Sequence, residues 1–207
     1  RHGSRRLFEF SFALAARRQS RNPAKGRVTC VDKANVHRAL ALMNKVFWEV
    51  AARHPALPAD HCYVDAMALN LVRRPWDYDV IATENQFGDI LSDLGAALVG
   101  GMGMAPSADI GDEHALFQPS HGSAPDIAGR GKANPTAMLL SAAMMLDWLG
   151  VRHGVAALGE AATRLEAAVD RVHSGRRIRP VEFGGIDGTT AIASAVIAAL
   201  AETEVAA

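Results

Sequence analysis

Only Cys30 and Cys62 supply thiols, too few and too far apart for a disulfide framework or a zinc site. Two free thiols in a reducing compartment, hence a cytoplasmic protein, are the expectation. No apolar run approaches the roughly 18 residues of a membrane span, and the N-terminus lacks the hydrophobic core of a signal peptide. The longest apolar stretch, Thr190 to Ala201, is alanine-rich and reads as a packed terminal helix. Neither sign of charge prevails: Lys plus Arg equals Asp plus Glu at 22 each, so no net field draws nucleic acid or an anionic membrane. Lysine is scarce, at positions 25, 33, 45 and 132, and tyrosine scarcer, with Tyr63 and Tyr78. An initiating methionine is absent too, and Arg1-His2-Gly3-Ser4 reads as the start of an incomplete chain.

What remains is an ordinary globular composition, 49% hydrophobic and 21% charged over 207 residues. That length suits one large domain or two small ones. Segments of 3.6-residue periodicity alternate with short β-branched runs, the pattern of an α/β protein. Helix is expected over Arg5 to Arg18, ended near Asn22-Pro23, then strand over Arg27 to Val31. Helix returns from Arg38 to His54, with Met43, Phe47, Val50 and Ala51 on one face, and Pro55 stops it. Strand is expected over His61 to Asp65, helix over Ala66 to Arg73, strand over Tyr78 to Thr83 and helix over Phe87 to Val99. Gly100-Gly101 punctuates the chain. The stretch from Gly111 to Pro135 reads as loop around a strand at Ala115 to Gln118. Three helices follow, over Pro135 to Leu149, Gly154 to His173 and Thr189 to Glu202.

Phe87-Gly88-Asp89-Ile90-Leu91-Ser92-Asp93 places two carboxylates four residues apart, on one helix face, where a divalent cation can bridge them. Acids at this spacing are ordinarily solvated, and they repel by a few tenths of a kcal/mol. A bound cation reverses that sign. Asp65, expected to close its strand, stands where α/β proteins commonly place active-site residues. Three carboxylates with water and substrate oxygens make a hard, roughly six-coordinate site suited to Mg²⁺ or Mn²⁺. Lys33, in Val31-Asp32-Lys33-Ala34-Asn35, is a surface lysine by default. Beside a metal-bound 2-hydroxy acid, a lysine of lowered pKa can accept the hydroxyl proton as hydride leaves. The loop His121-Gly122-Ser123-Ala124-Pro125-Asp126-Ile127-Ala128-Gly129 is broken by glycine and proline, and its single acid can grip a ribose. Gly100-Gly101-Met102-Gly103-Met104 lacks the G-x-G-x-x-G order and follows a helix, so it reads as a tight turn.

Together these motifs resemble the metal-dependent β-decarboxylating dehydrogenases, the isocitrate/isopropylmalate dehydrogenase family, from about Arg5 to Gly188. The resemblance implies a two-domain isopropylmalate-dehydrogenase-like α/β fold that is not a Rossmann fold and is incomplete at its N-terminus. It places a substrate and dimerisation domain at 1–99 and the C-terminal half of a cofactor domain at 100–207. It also implies that Asp65, Asp89 and Asp93 hold Mg²⁺ or Mn²⁺, with Asp65 and the catalytic Lys33 reaching across from the partner subunit. Asn35 would touch substrate or cofactor. The loop of His121, Gly122, Ser123, Ala124, Pro125, Asp126 and Ile127 would wrap the adenosine half of the cofactor, with Asn134 on adenine. Asp126 accepts hydrogen bonds from a ribose diol and repels a 2′-phosphate, which favours NAD over NADP. Relatives that use NADP have lysine and tyrosine where this chain has Asp126 and Ile127.

Two departures limit the implication. The catalytic tyrosine and substrate-binding arginines of the family fall upstream of Arg5, and Tyr63 and Tyr78 lie in other motifs. Gln86 stands where the family usually has an apolar residue. The 108–117 segment looks like the isocitrate and homoisocitrate branches, whereas Val31 to Val36 and the Asp126 loop look like isopropylmalate dehydrogenase. The expected reaction is therefore NAD-dependent oxidative decarboxylation of a 2-hydroxy acid. Isopropylmalate is favoured, with isocitrate, homoisocitrate, malate or tartrate as alternatives. Met67, Leu69, Leu71, Leu94 and Leu98 are expected to pair two chains into a homodimer with shared sites. The competing readings are an inactive truncated or regulatory subunit, and a Mg²⁺-dependent phosphatase, which leaves Lys33 and Asp126 unexplained. The chain by itself is expected to be inactive.

Overall fold

Seven helices and five strands make up the computed structural model, which describes residues 1–176 and 178–205, with side chains described through Glu202. The chain divides into two compact units, Arg1–Gly95 and Ala96–Ala207.

The first unit alternates helix and strand: α1 (His2–Arg21), β1 (Val28–Asp32), α2 (Arg38–Ala51), β2 (Ala59–Tyr63), α3 (Val64–Arg73), β3 (Val80–Thr83) and α4 (Asn85–Leu98), which runs over its boundary. The strands form a parallel sheet in the order β2-β1-β3. As the central strand, β1 is buried at every position, which is why Val28-Thr29-Cys30-Val31 reads as an unbroken run rather than an alternation. Period two still sorts its side chains. Val28 and Cys30 pack with Phe8 and Phe12 of α1 and Met43, Val46, Phe47 and Val50 of α2. Val31 packs the other way, with Met67 and Leu71 of α3 and Leu91 of α4. The Phe8 and Phe47 rings meet edge-on at 5.2 Å, a favoured aromatic geometry.

The second unit contains the antiparallel hairpin β4 (Pro106–Ile110) and β5 (Ala115–Pro119), followed by α5 (Thr136–His153), α6 (Ala156–Ser174) and α7 (Thr189–Val205). Ala168, Val169 and Val172 of α6 and Val196 and Ala199 of α7 form its core, with Leu139 and Leu140 of α5 packed against them. Close approach explains Gly150: a Cβ there would lie 3.1 Å from the Gly159 nitrogen and the Val155 carbonyl oxygen.

Several boundaries differ from the expectation, each for a local reason. The second strand is Ala59–Tyr63, so Asp65 does not close a strand but sits in the first turn of α3, where a helix N-terminus favours an acid. Helix α2 ends at Ala51 rather than His54, because the chain tightens beyond it: the Arg53 and His54 N–H groups bond to the Val50 and Ala51 carbonyls, three residues back instead of four. Gly154, expected to open α6, instead ends α5 in a left-handed conformation, φ 66°. Strand β4 has no counterpart among the elements the sequence pattern predicts. Its proline start and mixed exposure carry no alternation, and pairing with β5 defines it. Gly100 and Gly101 do form a turn, with φ of 118° and 123°, a region only glycine enters freely.

Candidate active site

Parallel pairing brings the carboxyl ends of β1, β2 and β3 to one edge of the sheet, and the candidate residues of the first unit follow these ends. Asp32 is register partner to Tyr63, so the chain leaves β1 and β2 side by side. Lys33 then meets Asp65: Nζ lies 2.5 Å from Oδ1. The Lys33 side chain is three-quarters buried and the Asp65 side chain mostly exposed. The lysine hydrogen bond, reinforced by backbone N–H groups of the α3 N-terminus, holds the Asp65 carboxyl below the ordinary range.

Behind this pair lies a residue that sequence reasoning passed over. Asp32 is fully buried. Its Oδ1 accepts from the Ala34 N–H at 2.8 Å and from His61 Nε2 at 2.9 Å, and its Oδ2 from Asn44 Nδ2 at 2.9 Å. Cys30 Sγ also points at Oδ2, and burial together with this carboxylate pushes the thiol far above its ordinary value, making it an inert core group. The signal for Asp32 was a charged residue ending a strand otherwise buried throughout.

Helix α4 holds Asp89 and Asp93. Glu84 starts it, its two carboxylate oxygens accepting from the Gln86 and Phe87 N–H groups at 2.9 and 2.8 Å. This cap satisfies two of the donors that every helix start leaves open. Asp89 and Asp93 are both exposed and one helical turn apart, and neither carboxylate bonds to a described residue. Gln86, the departure from the family pattern, is exposed, so its polarity costs nothing. Among the described residues no group of three acids, histidines or cysteines gathers closely enough to hold a metal ion within one chain. Asp65 is thus turned to Lys33, and Asp89 and Asp93 offer two hard oxygen ligands without a third. Unpartnered carboxylates of this kind fit a divalent oxygen-seeking cation.

In the second unit, residues 121–126 form an exposed loop. His121 Nδ1 donates to the Gly122 carbonyl oxygen at 2.9 Å, and Ala124 takes a left-handed conformation, φ 43°, before a 3-10 turn Pro125–Ile127 that carries the exposed Asp126. Gly122 and Ser123 are exposed beside them, and Ile127 is half-buried. Asn134 is different. Its amide oxygen accepts from the Thr136 N–H and hydroxyl at 3.0 and 2.7 Å, and its amide nitrogen donates to Glu182 at 2.6 Å and to Met104 Sδ. With that side chain fully engaged, any contact of Asn134 with a base falls to its backbone. Because the Thr136 proton goes to Asn134, His173 Nε2 must be the donor to Thr136 Oγ1 at 3.0 Å. Burial lowers the His173 pKa against the opposing pull of Asp170 and Glu182.

A parallel sheet whose carboxyl ends lead to a lysine–carboxylate pair, and a helix carrying two exposed acids, belong to an α/β scaffold. A model of the isocitrate/isopropylmalate dehydrogenase family matches residues 1–198, and the chain belongs to that family. It is similar to the 3-isopropylmalate/3-methylmalate dehydrogenase of Methanocaldococcus jannaschii, 48% identical over 168 residues that cover 81% of this chain and 48% of that protein. It is also similar to the isocitrate/homoisocitrate dehydrogenase of Thermus thermophilus, 54% identical over 152 residues that cover 73% of this chain and 43% of that one. The crystal structure of isocitrate dehydrogenase from Methylococcus capsulatus matches with a TM-score of 0.85 and 38% identity, covering 96% of this chain and 56% of that one. The chain spans about half the length of the curated relatives it matches. Among the described residues no helix is long and apolar enough to cross a membrane.

Proposed function

We propose that the protein of which this chain forms part oxidises and decarboxylates a 2-hydroxy acid, with NAD as acceptor and Mg²⁺ or Mn²⁺ at the reacting end. The 2.5 Å Lys33–Asp65 pair at the sheet edge carries this reading. It sets the Lys33 amine beside a carboxylate without drawing in Asp89 and Asp93, an arrangement that suits a site assembled from two chains. Lys33 and Asp65 of the partner subunit would then face Asp89 and Asp93 of the first. Asp65 together with Asp89 and Asp93 would hold a divalent cation, which when bound would supply Lewis acidity at the substrate oxygen. Lys33, as the neutral amine, would accept the hydroxyl proton, and the ammonium so formed is held in place by its hydrogen bond to Asp65. Reprotonation after CO₂ leaves falls to a group outside these 207 residues. Asp126 binds the cofactor ribose, and Asn134 approaches the adenine through its backbone.

Two chains meet, on this reading, through α3 and α4. Met67, Leu71 and Leu94 of the expected pairing set are used in the unit's own core. Leu69 and Leu98 of that set stay exposed and, with Val72, Trp76 and Ile90, would supply apolar area for a homodimer. Isopropylmalate is the favoured substrate; the relatives named for homoisocitrate and isocitrate keep those acids in view. The unbridged Cys30 and Cys62 suit a cytoplasmic enzyme. The test is NAD reduction by the complete protein with Mn²⁺ and each of isopropylmalate, isocitrate, homoisocitrate, malate and tartrate. Metal-dependent turnover of one of them supports the reading; its absence with all five refutes it.

A further inference from the structure

We propose that Asp32 is the positioning residue for Lys33, fixing through one buried carboxylate the turn that presents the lysine to Asp65. This deepens the functional reading above and rests on it only in taking Lys33 as the proton acceptor.

Period two along β1 sends Asp32 to the side of Val28 and Cys30, toward α2, where Asn44 lies in reach. The next residue, Lys33, then leaves on the opposite side, toward α3 and Asp65. Besides the Cys30 thiol of its own strand, three donors from three other elements converge on the carboxylate: the Ala34 N–H of the turn, Asn44 of α2 and His61 of β2. Its bond to Ala34, two residues on, closes an Asx turn that sets the backbone of Lys33 between two fixed points. The other two bonds anchor that turn to a helix and to a neighbouring strand. A fully buried carboxylate is costly unless its lone pairs are met, and at the end of a central strand an apolar residue would fill the space without that cost. What an apolar residue lacks is the acceptor for Ala34. The carboxylate therefore trades stability for the direction in which Lys33 leaves the sheet.

The prediction needs no turnover to read. Trace acylation of amines at one fixed pH, quantified by mass spectrometry, compares Lys33 with Lys25, Lys45 and Lys132 in the same protein. In the parent, pairing with Asp65 slows Lys33. In Asp65→Asn and in folded Asp32→Ala the relative rate at Lys33 rises about fivefold, the other lysines holding steady. Asp32→Asn keeps an oxygen for the Ala34 N–H and stays within about twofold of the parent. A lowered melting temperature in Asp32→Ala with an unchanged Lys33 rate would mean a structural role only and overturns the proposal. So does an unchanged Lys33 rate in Asp65→Asn, which would show that the pair does not restrain the amine. Should Asp32→Ala not fold, Asn44→Ala, which removes one anchor, decides by the same criterion. Loss of the proposed dehydrogenase activity would not alter this readout, so the two ideas fail separately.

Discussion

Asp32 and Tyr63 are partners in the parallel register of β1 and β2. From that one pairing it follows that Lys33 and Asp65, one and two residues further on, come within 2.5 Å of each other. Neither strand contains a residue of the pair. The sheet acts as a ruler, and the chemistry hangs from its edge.

Stability should depend on that sheet's aromatic packing. Phe47 is fully buried among Phe8, Phe12 and Val50. Phe47→Ala should cost about 3–5 kcal/mol in urea unfolding, whereas Leu42→Ala on the exposed side of the same helix should cost well under 1 kcal/mol in the same assay. Equal costs would show that the first unit is not built around this core.

Glu84 should matter to Asp89 and Asp93 without touching either. Glu84→Ala removes both cap bonds of α4 and should cost about 1 kcal/mol. Its first turn should fray, seen as faster hydrogen exchange at Gln86 and Phe87. Unchanged exchange there would remove the cap from the account.

His173 makes stability in the second unit sensitive to acid. Burial lowers its folded pKa, so between the folded and unfolded values the unfolded chain binds more protons. Its contribution is complete above the unfolded value near 6.5 and is lost as pH falls through it toward the folded value. Melting temperature should therefore decline across that window in the parent and decline less in His173→Gln. Identical profiles would exclude His173 as the source.

Cofactor choice should turn on Asp126. In the complete protein Asp126→Lys with Ile127→Tyr should shift binding from NAD toward NADP. The change removes like-charge repulsion and adds a partner for the 2′-phosphate. Titrating NADH and NADPH fluorescence checks this, and an unaltered affinity ratio removes the loop from cofactor selection.

The fold was largely legible because its signals are local. Periodicity in Arg38–Ala51 and the breaker at Asn22-Pro23 announce helices directly. Strand β4 was hidden, since only its pairing with β5 makes it a strand. The residue types at positions 33, 65, 89 and 93 stand out in the sequence, but which of them meet within one chain is decided by strand register and by the first turn of α3. Neither has a local signature. Asp32, Asn44 and His61 were invisible for the same reason: they lie on three elements, and only the folded sheet brings them together.

The most direct test of a site shared between chains is Mn²⁺ binding by mixed variants, followed by paramagnetic resonance. Asp65→Asn alone and Asp89→Asn alone should each lose the tight site. Unfolded together and refolded as a mixture, they should recover about a quarter of the parent's sites, because half the dimers are mixed and each mixed dimer has one intact site. A mixture that binds no better than either variant, or an Asp65→Asn protein that binds Mn²⁺ as the parent does, would contradict the shared site.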